Sequence, residues 1–357
     1  MYLAGKMVLA VEAGAPNNGR VEETTARVKF ARIRGQVYPY ISAQAARRWV
    51  RDGMVELGSL PSPVTRVGKA QGKAQKANTA ADPVRYADDD LFGYMRAGAK
   101  KDDAATTLRD SPFMLGTLMS VEPAQLTQDF GVMSRGVAEP VLHGHEFYTA
   151  DLAAPFLLDL PRIGTFTLPG AVGAGGRPNY LTEEQALQAA EAVAAGAAAT
   201  QFRDQAAVRL PLEERRRRAA LLLEALAQLS GGAKKALHYG DRVPALVMLV
   251  PFKGGINPLA HCVDGVEGRG LRVRGEVLRA ELDAWAGEWE APVRVGWRPG
   301  FRDDLLEEFR RACAGELADG RMVIDHPRTV LRALAAELRD GKLDGWFDDP
   351  QRDEPQR

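Results

Sequence analysis

Thr24–Arg51, TTARVKFARIRGQVYPYISAQAARRWVR, carries seven basic residues (Arg27, Lys29, Arg32, Arg34, Arg47, Arg48 and Arg51) and no acid, inside a chain of zero net charge. A local basic field in a neutral chain points to a polyanion site better than a high overall pI does. Val28, Phe30 and Ile33 are interleaved with the charges, Arg34-Gly35 suits a turn, and Val37–Ile41 is again rich in β-formers. That pattern predicts a hairpin. Ser42 then predicts a helix start, because its side chain accepts from free backbone N–H groups. On that helix Gln44, Arg47, Arg48 and Arg51 follow the i, i+3, i+4, i+7 spacing, which places them on one face. A helix N-terminus with three arginines on one face is a phosphate cradle. The competing reading is a solvated basic face beside an ordinary hairpin, and charge alone does not choose between them.

Working outward, 357 residues with 45% apolar and 26% charged content describe a globular chain able to bury a full core. The two cysteines, Cys262 and Cys313, form no Cys-x-x-Cys pair, which excludes a disulfide scaffold or zinc finger and suits a reducing cytoplasm. The apolar run before Glu12 is too short for a signal segment, and no stretch is long enough to span a membrane. Zero net charge requires any nucleic-acid site to be a concentrated patch.

Lys6–Ala13 predicts a first strand, and GAPNNG (Gly14–Gly19) a turn-rich loop whose Asn17 and Asn18 suit contacts to phosphate, ribose or base, or else hold the loop's own backbone. From Leu60 to Arg109 large apolar residues are scarce and the segment predicts a mobile insertion. It is basic through Lys69, Lys73 and Lys76, then acidic from Asp82 to Asp90. Phe113–Val121 and Leu152–Leu160, extended to Phe166, predict buried strands. Between them lies a long polar excursion with Phe130, Val132 and Met133 beside Arg135, the residue types of an apolar wedge that unstacks nucleic acid. Thr182–Gln205 predicts a helix by propensity, and Glu213–Leu229 a stronger one whose arginine run fits a solvated or intersubunit face. Gly231-Gly232, followed by Lys234, Lys235 and His238, permits close backbone approach to a ligand. A central strand is expected over Pro244–Pro251, which places the preceding loop at a sheet edge. Beyond it a helix is expected over Arg272–Trp289, then a strand, a second helix and a polar tail.

Asn17-Asn18-Gly19 with YPYISAQAARRWVRD, LRDSPFMLGTLMSVEPAQLTQDFGVMSRG, HEFYTADLAAPFLLDLPRIGTF and LSGGAKKALHYGDRVPALVMLVPFKGGINP together resemble the DevR-type backbone subunit of type I (I-B-like) CRISPR Cascade complexes. The resemblance covers most of Met1–Pro258. It implies an α+β, ferredoxin-like (RNA-recognition-motif-like) core over 1–59 and 110–263, a finger-like insertion over 60–109 and a β-hairpin thumb over 122–150. A C-terminal elaboration would occupy 264–345 and a disordered tail 346–357. The predicted element order matches a β-α-β-β-α-β core, which in RNA-recognition modules presents its sheet to single strands.

The resemblance further implies a non-catalytic cytoplasmic subunit, without cofactor, that polymerises head to tail along crRNA and presents bases for pairing with target DNA. Its partners would be further copies of itself and the large, small, Cas5-like and repeat-processing Cascade subunits. Expected RNA contacts are Asn17, Asn18, Lys29, Ser42, Gln44, Arg47, Arg48, Arg51, Gly231, Gly232 and Lys234; the expected base-flipping residues are Phe130, Val132, Met133 and Arg135. No catalytic triad, P-loop or dinucleotide fingerprint is present. The alternatives are a type III-like backbone that cuts RNA with Asp129, and a metal enzyme built on His143 and His145, the one pair with ligand spacing.

Overall fold

The structure is a computed structural model and describes residues 1–22, 25–67, 76–96, 107–134, 136, 139, 141–168 and 197–349. Strand β1 (Tyr2–Gly14) lies in the middle of the main sheet. Its Leu3, Met7, Leu9 and Val11 enter one apolar cluster, while Ala4 and Val8 enter another on the opposite face. Burial on both faces explains why the strand outruns the alternating span Lys6–Ala13. Lys6 is kept inside by donating from Nζ to the Ala260 carbonyl at 2.9 Å, and burial lowers its pKa.

Strands β2 (Asn18–Glu22), β3 (Thr25–Val28), β4 (Phe30–Ile33) and β5 (Gln36–Ile41) follow. The β4–β5 hairpin turns at Arg34 and Gly35, both at positive φ, the backbone that two-residue hairpin turns favour. Helix α1 (Ala43–Glu56) starts where expected, with the Ser42 hydroxyl accepting from the Ala45 N–H, and buries Ala46, Trp49, Val50, Gly53 and Met54.

Next come β6 (Thr65–Val67), β7 (Lys76–Asn78), α2 (Ala87–Phe92), β8 (Tyr94–Arg96) and β9 (Thr107–Arg109). A mobile linker was expected here, yet Leu91 and Phe92 join the main core and Asp88, Asp89 and Asp90 are buried. Buried carboxylates persist only where paired. Asp90 accepts from Arg109, from Arg218 at 2.8 Å and from the Gly164 N–H at 2.9 Å, and Asp89 accepts from the Ser62 hydroxyl at 2.7 Å. Lys69 and Lys73 lie outside the described residues.

The single strand expected over Phe113–Val121 is divided into β10 (Phe113–Leu115) and β11 (Leu118–Ser120). Leu115 faces Phe156 but Met119 faces Ala153, so the register slips at Gly116, which packs on the Pro155 ring. Strands β12 (Thr127–Met133) and β13 (Val141–Asp159) form an antiparallel hairpin, and β13 runs without interruption from its tip into the core. Strands β14 (Thr165–Thr167), β15 (Ala198–Phe202) and β16 (Gln205–Arg209) make a small sheet over Phe166, Ala197, Val208 and Leu210. The C-terminal part of the helix expected over Thr182–Gln205 is therefore a strand, because packing against this cluster overrides helix propensity; the remainder lies outside the described residues.

Helix α3 (Leu212–Ala227) forms as expected, but its arginines correct the solvated-face reading. Arg215 and Arg218 are buried. Arg215 donates to the Pro161, Ile163 and Phe347 carbonyls, and burial pushes its pKa down to about 10. Strand β17 (Leu246–Phe252) is fully buried. After β18 (Val263–Val266) and β19 (Gly270–Val273) come α4 (Gly275–Ala284), β20 (Val293–Trp297), α5 (Asp303–Ala312), α6 (Ala314–Ala318), β21 (Met322–Asp325) and α7 (Pro327–Arg339). Arg272 and Val273, expected to open a helix, belong to β19. Trp346 and Phe347, expected in a disordered tail, are buried in the main core; residues 350–357 lie outside the described residues.

The main sheet runs β21-β20-β17-β1-β13-β11-β5-β4, with β10 also on β13. Along β17, β1, β13 and β10–β11 each strand is antiparallel to its neighbour. Helices α1, α3 and α7 cover one face, whereas α4, α5 and β18–β19 cover the other over β1, β17 and β20. That second layer covers the kind of sheet face that RNA-recognition modules present to a single strand. Among the described residues no helix is long and apolar enough to cross a membrane.

Candidate nucleic-acid interface

Three segments far apart in sequence meet beside α1. The Lys29 N–H donates to the Asn17 carbonyl, the Tyr40 N–H to the Lys29 carbonyl, and Asn17 Nδ2 to the Tyr40 carbonyl, each at 3.1 Å. These bonds tie the loop after β1 to the basic arm just before Ser42. Asn17 thus holds backbone, but the buried Asn18 Oδ1 has no donor among the described residues.

The third segment is the loop after α3. A Cβ on Gly231 would stand 2.0 Å from the Trp49 ring, so only glycine lets this backbone lie on α1. Gly232 has φ +112° and packs on Pro16, whose carbonyl accepts from the Ala233 N–H at 2.9 Å. The loop accordingly packs on α1 and the loop after β1, where a sheet edge was expected. The Lys234 carbonyl accepts from the Leu237 and His238 N–H groups at 3.0 and 2.8 Å, while Leu237 and Tyr239 stay exposed. Neither exposed side chain was foreseen; exposure in a loop leaves no periodic signal.

Not all the α1 cations face outward. Arg47 donates to the Phe92 carbonyl and lies 5.6 Å from that ring, and Arg51 lies 4.6 Å from it and 3.3 Å from Asp88. Burial lowers the pKa of both. Gln44 and Arg48 are exposed, Arg48 with its Nε 2.7 Å from Asp52. The shared face expected for these four residues is therefore divided: Gln44 and Arg48 toward solvent, Arg47 and Arg51 onto α2.

The β12–β13 hairpin adjoins this surface. Phe130, Val132 and Met133 are 63%, 56% and 61% exposed, a concentration of apolar side chains in water that marks a contact surface. Arg135 lies outside the described residues. At the hairpin root His238 stacks on His145 and Phe147, with ring centroids 4.9 and 5.0 Å apart, which links the glycine loop to β13. Burial and His145 hold the His238 pKa below the ordinary histidine value. His145 Nε2 is 3.6 Å from Asp129, whereas His143 lies over Gly131. The two histidines have different neighbours, and among the described residues no three acidic, histidine or cysteine side chains group as a metal site. Glu146 accepts from Arg27 and from the Val28 N–H, fixing β3 on β13.

A family model described as "CRISPR-associated negative auto-regulator DevR/Csa2" matches residues 10–239. No curated protein matches. One similar solved chain belongs to a "CRISPR RNA-guided surveillance complex, pre-nicking", at TM-score 0.56 and 12% identity over 95% of this chain and 100% of that one. Another belongs to a "CRISPR RNA-guided surveillance complex", at TM-score 0.50 and 14% identity over 94% and 99%. At these identities the likeness is one of fold.

Proposed function

This chain belongs to the DevR/Csa2 family of CRISPR-associated proteins, and from that premise we propose that it is a non-catalytic, guide-RNA-binding backbone subunit of a type I Cascade complex. The observation that carries the reading is the meeting of Asn18, Lys29, the start of α1 and Gly231–Lys234 beside an exposed apolar hairpin. Main-chain N–H groups, a helix N-terminus and lysines suit phosphates, which position a strand without reading its sequence.

In this reading β1, α1, β10–β11, β13, α3 and β17 form a ferredoxin-like palm, with antiparallel order β17-β1-β13-β10/β11. Residues 60–109 are the finger, docked by α2. The β12–β13 hairpin is the thumb, whose Phe130, Val132 and Met133 wedge against a base. Copies pack head to tail along crRNA, and the exposed bases pair with target DNA, so specificity belongs to the guide. The other Cascade subunits complete the particle in the cytoplasm. Arg48, Gln44 and Lys234 lead the phosphate contacts. Arg47 and Arg51 act through α2 unless the RNA displaces Phe92.

The test is charge reversal at exposed Arg48 and half-buried Lys234. Arg48→Glu with Lys234→Glu is expected to weaken RNA binding at least tenfold, equally for unrelated guide sequences, and to flatten its salt dependence. A loss confined to certain sequences would contradict a backbone grip.

A further inference from the structure

A cleft of about 1000 Å³ lies between the β3–β5 arm, the segment Glu122–Leu126 and the β18–β19 turn. It is on the scale of small-molecule sites, which run to about 1,000 Å³. Its carboxylates are engaged by protein donors. Glu146 is held by Arg27 and the Val28 N–H, Glu122 accepts from the Gly270 N–H at 3.1 Å, and Glu267 accepts from Gln36 Nε2 at 3.3 Å. Lys29 and Arg32 line the same cleft and have no carboxylate partner among the described residues. Arg32 lies 5.4 Å from the Phe30 ring, and Tyr40 supplies a second aromatic to the lining. Exposed Gln125 also belongs to the lining.

Two cations without a carboxylate partner, one of them beside an aromatic ring, in a cleft whose acids are already satisfied, match a ligand that is anionic at one end and a flat ring at the other. We propose that this cleft is a nucleotide site, in which Lys29 and Arg32 hold a phosphate and Phe30 and Tyr40 pack against a base. Stacking of a base on an aromatic side chain contributes about 1–3 kcal/mol and is tolerant of base identity. The nucleotide is either a unit of a bound RNA strand, which rests on the function proposed above, or a free nucleotide.

The experiment uses the full chain, a fluorescein-labelled single-stranded RNA read by anisotropy, and AMP read by calorimetry. Arg32→Glu and Gln125→Glu alter exposed side chains at the cleft and leave the core untouched. Both variants are expected to bind RNA at least tenfold more weakly, and Arg32→Glu to reduce the log–log salt slope by about 0.7, the change for one phosphate contact on a single strand. RNA and AMP bound by both variants as by the unaltered chain would overturn the cleft while leaving the RNA reading standing. AMP bound without RNA would support the cleft as a free-nucleotide site and remove the bound strand as its occupant. Neither bound would overturn the cleft.

Discussion

At the scale of the residue, the arginines show where sequence spacing stops being informative. Positions 44, 47, 48 and 51 share a helical face by arithmetic, yet Arg47 and Arg51 bend onto Phe92, a ring some forty residues away in the chain. The run at 215–218 is sorted the same way. Arg217 pairs at the surface with Glu214, while Arg218 is 2% exposed and donates to Asp90 and to the Pro83 and Val84 carbonyls. Arg218→Ala should therefore leave Asp90 inadequately compensated and destabilise the fold by about 3–5 kcal/mol. Arg217→Ala should change stability by less than about 1 kcal/mol. Urea unfolding of the two variants separates the cases, and equal effects would place Arg218 outside the core. Which arginine goes inward was not legible in RRRR, because its partner Asp90 sits in a segment whose composition reads as a linker. Ser42 was legible, since a helix cap demands a particular residue type; for Asn17 the backbone-holding role was one of two open readings, and Gly231, read as approaching a ligand, lies against Trp49.

At the scale of the element, strands and helices with strong patterning formed where the sequence placed them: β1, the β4–β5 hairpin, α1, α3 and β17. The β15–β16 hairpin was not legible, because its apolar partner Phe166 comes from β14 and the local composition favours helix. The helical layer over the second sheet face was only partly legible; α5, DDLLEEFRRA, was not recognised as a helix at all. The β12–β13 hairpin is distinctive for leaving its apolar side chains in water. Replacing Phe130, Val132 and Met133 together by serine should change stability by no more than about 0.5 kcal/mol per site, as expected for exposed positions. If these side chains wedge against the guide, the same variant should carry fewer copies per RNA. Thermal unfolding and particle sizing of the one protein test both statements, and unchanged particles would remove the hairpin from the assembly mechanism.

At the scale of the whole molecule, the architecture separates two tasks. One sheet face packs α1, α3 and α7, and the other packs α4 and α5, so the sheet is a rigid support with no open face over its central strands. The chemistry that suits RNA lies beside α1, on the loop after β1, the basic arm, the start of α1 and the glycine loop. The proposed backbone role needs a polyanion held in a fixed orientation, and a concentrated basic surface on a neutral chain suits that task. The most direct test of that role is to co-express the chain with a repeat–spacer transcript, extract the nucleic acid and size the particle. A multi-copy particle holding RNA of one defined length is the predicted result. A nucleic-acid-free monomer that persists after the other Cascade subunits are supplied would contradict it.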